Sequence, residues 1–127
     1  MPNPPVTAIL AALAAALCAC AQQKASFDIF SYVAPEGFAL KDSTKRIFLE
    51  KVDGKSYCQL YLWPAIAGQS DPEKNFARDW DGFAAKPFKI AAPETKDRRA
   101  AAGWDVMLGG ARGTYNAIQF VVSVATY

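Results

Sequence analysis

Few side chains in this sequence could do chemistry. There are three cysteines, Cys18, Cys20 and Cys58, and no histidine. Without an imidazole, a Cys/His zinc site, a Ser-His-Asp triad and a Cys-His dyad are all excluded. Serine–lysine pairs occur at Ser43-x-Lys45 and in Ser70-Asp71-Pro72-Glu73-Lys74, but neither spacing matches a defined mechanism. A carboxylate enzyme would need at least two of Asp28, Glu50, Asp79, Asp81 and Asp105 within reach of each other in one hollow. Asp79 and Asp81 stand two apart on a helical stretch, so they point away from each other. No loop of oxygen ligands follows them, and they do not read as a calcium site. The expectation is a non-catalytic protein with no metal and no cofactor; the alternatives are the small carboxylate enzyme and a structural or assembly component of an envelope complex. The remaining candidates are Tyr57, Gln59, Tyr61 and Trp63. In an extended run they share one face, because side chains alternate across a strand. Such a face can pack beneath another element, the more frequent use, or it can meet a small ligand or protein partner while its hydroxyls stay wet.

Cys20 belongs to a different feature. From Val6 to Ala21 every side chain is apolar or small, and the first Lys, Arg, Asp or Glu is Lys24. A run of this length suits the apolar region of an export signal and falls short of the ~20 residues a membrane-spanning helix needs. Leu17-Cys18-Ala19-Cys20 resembles a bacterial lipobox, with Cys20 as the residue that receives lipid. Ala19-Cys20-Ala21 also offers a small-x-small cut that would release a soluble chain starting at Gln22. Lipidation of Cys20 is favoured, because this cysteine sits where the apolar run stops and a short polar tether begins. The expected organisation is a cleaved signal peptide at 1–21, a tether at 22–26 and a single domain at 27–127. The protein would be exported to the periplasm or cell envelope and held to the outer or cytoplasmic membrane through the lipid on Cys20. Cys58 is then left with no intramolecular partner. Stability must come from a core, and roughly 105 residues suffice for one core and not two. The net charge is only +2, and Lys45-Arg46 and Arg98-Arg99 are isolated pairs, so no nucleic-acid partner is implied.

The elements that would position the aromatic face can be read from periodicity. Phe27, Ile29 and Ser31 alternate with Asp28, Phe30 and Tyr32, as in a short strand, and Pro35-Glu36-Gly37 turns the chain. Residues 45–52 and 55–63 are β-rich runs around Asp53-Gly54, a strong hairpin signal. Cys58, Leu60 and Leu62 would form the aliphatic core face of the second arm. Asp71-Pro72 reads as a helix N-cap and first helical residue, with Phe76, Trp80 and Phe83 or Ala84 as one apolar stripe. This helix is expected to run from Pro72 to about Ala85 and to stop before Pro87. Residues 87–99 read as a connector with a short extended piece at 88–90. Gly103 to Thr114 and Ala117 to Tyr127 read as a second antiparallel pair turning at Tyr115-Asn116. The fold class is α+β: an antiparallel sheet of two hairpins plus an N-terminal strand, packed on one amphipathic helix. The end at "SVATY", inside an apolar strand, reads as a truncation before a closing element.

Phe27, Tyr32, Ala34-Pro35-x-Gly37-Phe38, "YCQLYLW", "NFARDW" and Gly103-Trp104 together resemble a group of uncharacterised bacterial exported lipoproteins. The resemblance implies an α/β/α sandwich of the PsbP type, with helices on both faces of an antiparallel sheet and a closing C-terminal helix that this chain lacks. It implies no activity, cofactor or site residue.

Overall fold

The computed structural model describes residues 23–127. The expected leader, Cys18, Cys20 with its expected lipidation, and residue 22 of the expected tether lie outside the described residues. The class is α+β, as expected. The strands are β1 (Lys24–Phe27), β2 (Phe30–Val33), β3 (Ala39–Asp42), β4 (Ile47–Asp53), β5 (Ser56–Leu62), β6 (Thr95–Ala101), β7 (Trp104–Tyr115) and β8 (Ile118–Thr126). The helix α1 (Pro72–Trp80) continues through a wide π-helical turn (Asp81–Ala85) into a last α-turn (Lys86–Phe88). The hydrogen-bonded ladders form three antiparallel sheets, β1-β2, β3-β4-β5 and β6-β7-β8, instead of one. The chain divides after Ile66 into two compact units.

In the first unit, the N-terminal strand is a hairpin. Its turn falls at Asp28, which takes a left-handed φ of 52° and uses its carboxylate to accept the Ala65 N–H at 2.7 Å. Alternation placed Asp28 inside a strand because periodicity does not sense this local turn chemistry. Residues 24–26, expected as tether, are part of β1. The Pro35-Glu36-Gly37 turn is present, closed by the Phe38 N–H on the Pro35 carbonyl, with Gly37 at φ 80°. β4 and β5 form the expected hairpin, but the turn proper is Gly54-Lys55, since Asp53 pairs with Ser56. Gly54 supplies the positive φ, 58°, at the first turn position. Ile47 and Leu49 are each 2% exposed, and Leu60 and Leu62 on the same face are half-buried. Cys58, expected in this core face, is exposed: it pairs with Lys51 near the open tip of the hairpin, where neither arm is covered.

In the second unit, the Asp71 carboxylate accepts the Glu73 N–H at 3.0 Å and caps α1 as expected. Phe76, Trp80 and Ala84 form the buried stripe. They pack on Met107, Ala111 and Val124 of β7 and β8. The helix does not stop before Pro87. In the wide turn the Lys86 N–H reaches back five residues to the Asp81 carbonyl, and this loosened ladder accommodates a residue that has no N–H to give. The helix ends instead at Lys89, at φ 61°. Trp80 fixes the following segment by donating its indole N–H to the Ile90 carbonyl at 3.0 Å. The expected connector contains β6, whose side chains are all exposed and so leave no apolar alternation to read. β7 and β8 form the expected second pair and turn at Asn116-Ala117, one residue later than expected. β7 lies against the helix through glycine: a Cβ on Gly109 would stand 2.3 Å from Phe76 Cζ.

Candidate functional site

The ladder of β4 and β5 determines which side chains share the aromatic face. Phe48 pairs with Tyr61, Glu50 with Gln59 and Val52 with Tyr57, so the even residues of β4 and the odd residues of β5 point the same way. All four candidates, Tyr57, Gln59, Tyr61 and Trp63, are therefore brought together. Among the described residues they stay open to solvent: Tyr57 is 61% exposed, Tyr61 38% and Trp63 40%.

The face is ordered by ring and hydrogen-bond contacts. Phe48 and Tyr61 stack across the strands with centroids 4.7 Å apart and planes 10° from parallel, and Tyr61 and Trp63 follow at 6.4 Å and 26°. The Tyr61 hydroxyl donates to Gln59 Oε1 at 3.1 Å, and Gln59 Nε2 donates to Glu50 Oε2 at 3.0 Å. Glu50 also pairs with Lys41 Nζ at 3.7 Å. Each polar group in this chain thus holds the next, which fixes the Tyr61 ring at little entropic cost to any later contact.

Arg46, Phe48 and Glu50 were not assigned to this face from sequence, where Glu50 was weighed only as a carboxylate and Arg46 only as part of a basic pair. Counting cross-strand partners back from the Asp-Gly turn would have found the last two, because a hairpin turn sets the register of both arms. Arg46 adds a cation over this face: its guanidinium carbon lies 5.0 Å from the centroids of both Tyr61 and Trp63. Beside it, Asp42 is held below the usual carboxylate range. The largest cause is the Thr44 backbone N–H, followed by the Thr44 hydroxyl, and the Arg46 charge adds to them.

The acids considered for carboxylate catalysis are dispersed onto separate partners. Asp28 caps the Ala65 N–H and Glu50 holds Gln59 and Lys41. Asp79 accepts from Arg78 Nε at 2.9 Å and from the Thr126 hydroxyl at 2.8 Å, and Asp81 pairs with Lys86 at 2.6 Å. Asp105 is gripped by Arg98 through two bonds, which draw its carboxyl below the usual range. A hollow of about 230 Å³ beside Trp104 and Met107 contains Asp105 alone of these five, and a second of about 420 Å³ over Phe76 and Trp80 contains none of them. Among the described residues no group of three or more His, Cys, Asp or Glu could hold a metal ion.

Comparison with family models, with curated proteins and with solved structures finds no match to this chain, so the face itself carries the functional argument.

Proposed function

We propose that this chain is an exported envelope protein, tethered through lipid on Cys20, that binds a protein partner through the aromatic face of β4 and β5. The observation that carries this reading is the exposure of Tyr57, Tyr61 and Trp63 on one ordered sheet face, with Arg46 lying over the last two. Tyr, Trp and Arg are the residue types that dominate protein–protein hot spots. The face is a sheet surface, and both hollows described above are lined by residues 72–127, away from these side chains in the sequence. Small ligands favour concave sites, so a flat aromatic face favours a protein partner over a small molecule. The tether rests on the lipobox-like Leu17-Cys18-Ala19-Cys20 at the end of the apolar run.

Two measurements test the two halves of the proposal. The intact mass of the protein extracted from host membranes should correspond to a chain starting at Cys20 and carrying acyl groups; a mass starting at Gln22 without lipid removes the anchor. For the face, Trp63→Ala should weaken partner binding by about 2 kcal/mol, roughly thirtyfold, as for an interface anchor. Its thermal unfolding should stay close to that of the parent, because Trp63 is 40% exposed and lies beyond the last residue of β5. Collapse of the fold on this substitution would show the ring to be structural.

A further inference from the structure

We propose that Arg46 is the specificity residue of the aromatic face and recognises a carboxylate side chain presented by the protein partner. This rests on the reading of that face as a binding surface. The chain has five arginines, and four of them already hold a carboxylate of their own. Arg78 pairs with Asp79 at 2.9 Å, Arg98 with Asp105 at 2.5 Å, Arg99 with Asp97 at 2.5 Å and Arg112 with Glu94 at 3.3 Å. Arg46 forms no such ion pair among the described residues. It is also only partly exposed, and its Nε is buried with no hydrogen-bond partner among the described residues. A guanidinium that has given up water at one nitrogen and has no acceptor is costly in the free protein. That nitrogen lies too deep for a docking partner to reach, so an incoming acceptor would meet the two terminal Nη groups, which have no acceptor among the described residues and can donate to it together.

The setting defines which acceptor fits. Contact with Tyr61 and Trp63 holds the guanidinium against two rings, so its donors form a positioned fork. A fork of this kind matches the two coplanar oxygens of a carboxylate bidentately. Phosphate shares the geometry but brings a second negative charge. Asp42 lies close enough for the Arg46 charge to act on it, and Glu50 already occupies Lys41, so carboxylates stand beside the site and repel a dianion more than a monoanion. The rings beneath provide contact for the apolar neighbours of an acidic residue on the partner. Occupied in this way, the site would be an Arg–carboxylate pair flanked by Tyr61 and Trp63, the arrangement in which a charge pair is desolvated and selective.

The test uses the full chain, immobilised, and a displayed library of random peptides as probe, with each selected peptide then resynthesised. Peptides that depend on the face, judged by loss of binding to Trp63→Ala, should carry Asp or Glu at one fixed position. Changing that residue to Asn or Gln should weaken binding by about tenfold, the worth of one hydrogen-bonded charge. Arg46→Gln should bind the acidic and amide peptides equally. Arg46→Lys should recover only part of the preference, since an ammonium offers no fork. The acid-to-amide change is made on the peptide and does not depend on how the protein variants fold. Face-dependent peptides with no fixed acid, or with an acid-to-amide ratio near one, overturn the carboxylate assignment and leave the binding face standing. If no selected peptide depends on Trp63, both fall.

Discussion

A Gly109→Ala chain should lose about 3 kcal/mol of stability or more, and its melting temperature should fall by more than about 10 °C. The substitution adds one methyl group, yet that carbon would lie 2.3 Å from Phe76 Cζ and 3.1 Å from a second ring carbon. Relief by rotating the ring is blocked. Phe76 is 3% exposed, its centroid is 5.9 Å from that of Trp80, and both rings sit in the one buried cluster of the second unit. The alternative is to lift α1 from β7, which would expose Met107 and Ala111 as well. A double-mutant cycle with Phe76→Leu checks the cause: the pair should be less destabilised than the sum of the two single changes, because the shorter side chain vacates the space the methyl needs. Additive losses would place the effect elsewhere.

Trp80→Ala should cost about 3–5 kcal/mol, the usual range for removing a large aromatic from a core, measured by urea unfolding followed by far-UV circular dichroism. Two losses combine at this position. One is the ring itself, 3% exposed and packed with Phe76 and Ala84. The other is the indole N–H to the Ile90 carbonyl, the bond that fixes the chain as it leaves the helix. Trp80→Phe separates them, since it keeps most of the ring and removes the donor. It should cost appreciably less than the alanine change, with its loss concentrated in faster proteolysis between Lys89 and Glu94. Equal losses for the two variants would contradict the role given to the ring.

Elements whose signals are local could be read from the sequence. The Asp53-Gly54 hairpin, the Asp71 N-cap and the Phe76–Trp80–Ala84 stripe each follow from a few adjacent residues, and each appears where it was expected to within a residue or so. What escaped the reading depends on partners far away in sequence. β6 has no buried side chain, so its strand character comes entirely from hydrogen bonding to β7. β3 contains a register irregularity between Leu40 and Asp42, which breaks the alternation that would have marked it. The division into three sheets is likewise a matter of which edges pair, and alternation within one strand carries no information on its neighbour. Gly109 and Gly110 within an apolar strand did carry a signal, since glycine there marks close approach of another element, and Phe76 is what approaches.

The candidate site followed the same pattern. Strand alternation alone grouped Tyr57, Gln59, Tyr61 and Trp63, and that grouping needs no tertiary information. Their exposure did not follow from sequence, because an aromatic face on one strand is equally suited to lie beneath another element. Arg46 was also out of reach. Its role depends on lying across from Trp63 at the far end of the hairpin, and on the four other arginines each having found an acid.

The central claim, that the aromatic face is a docking surface for one protein partner, is tested most directly by placing a photo-crosslinking amino acid at Tyr57 in the native host. Val121 serves as the comparison, being 71% exposed on a strand of the other unit. The account predicts a single adduct of discrete mass from position 57, lost when Trp63→Ala is added to the same chain and absent from position 121. The same adducts from both positions, or an adduct from 57 that persists without Trp63, would contradict it.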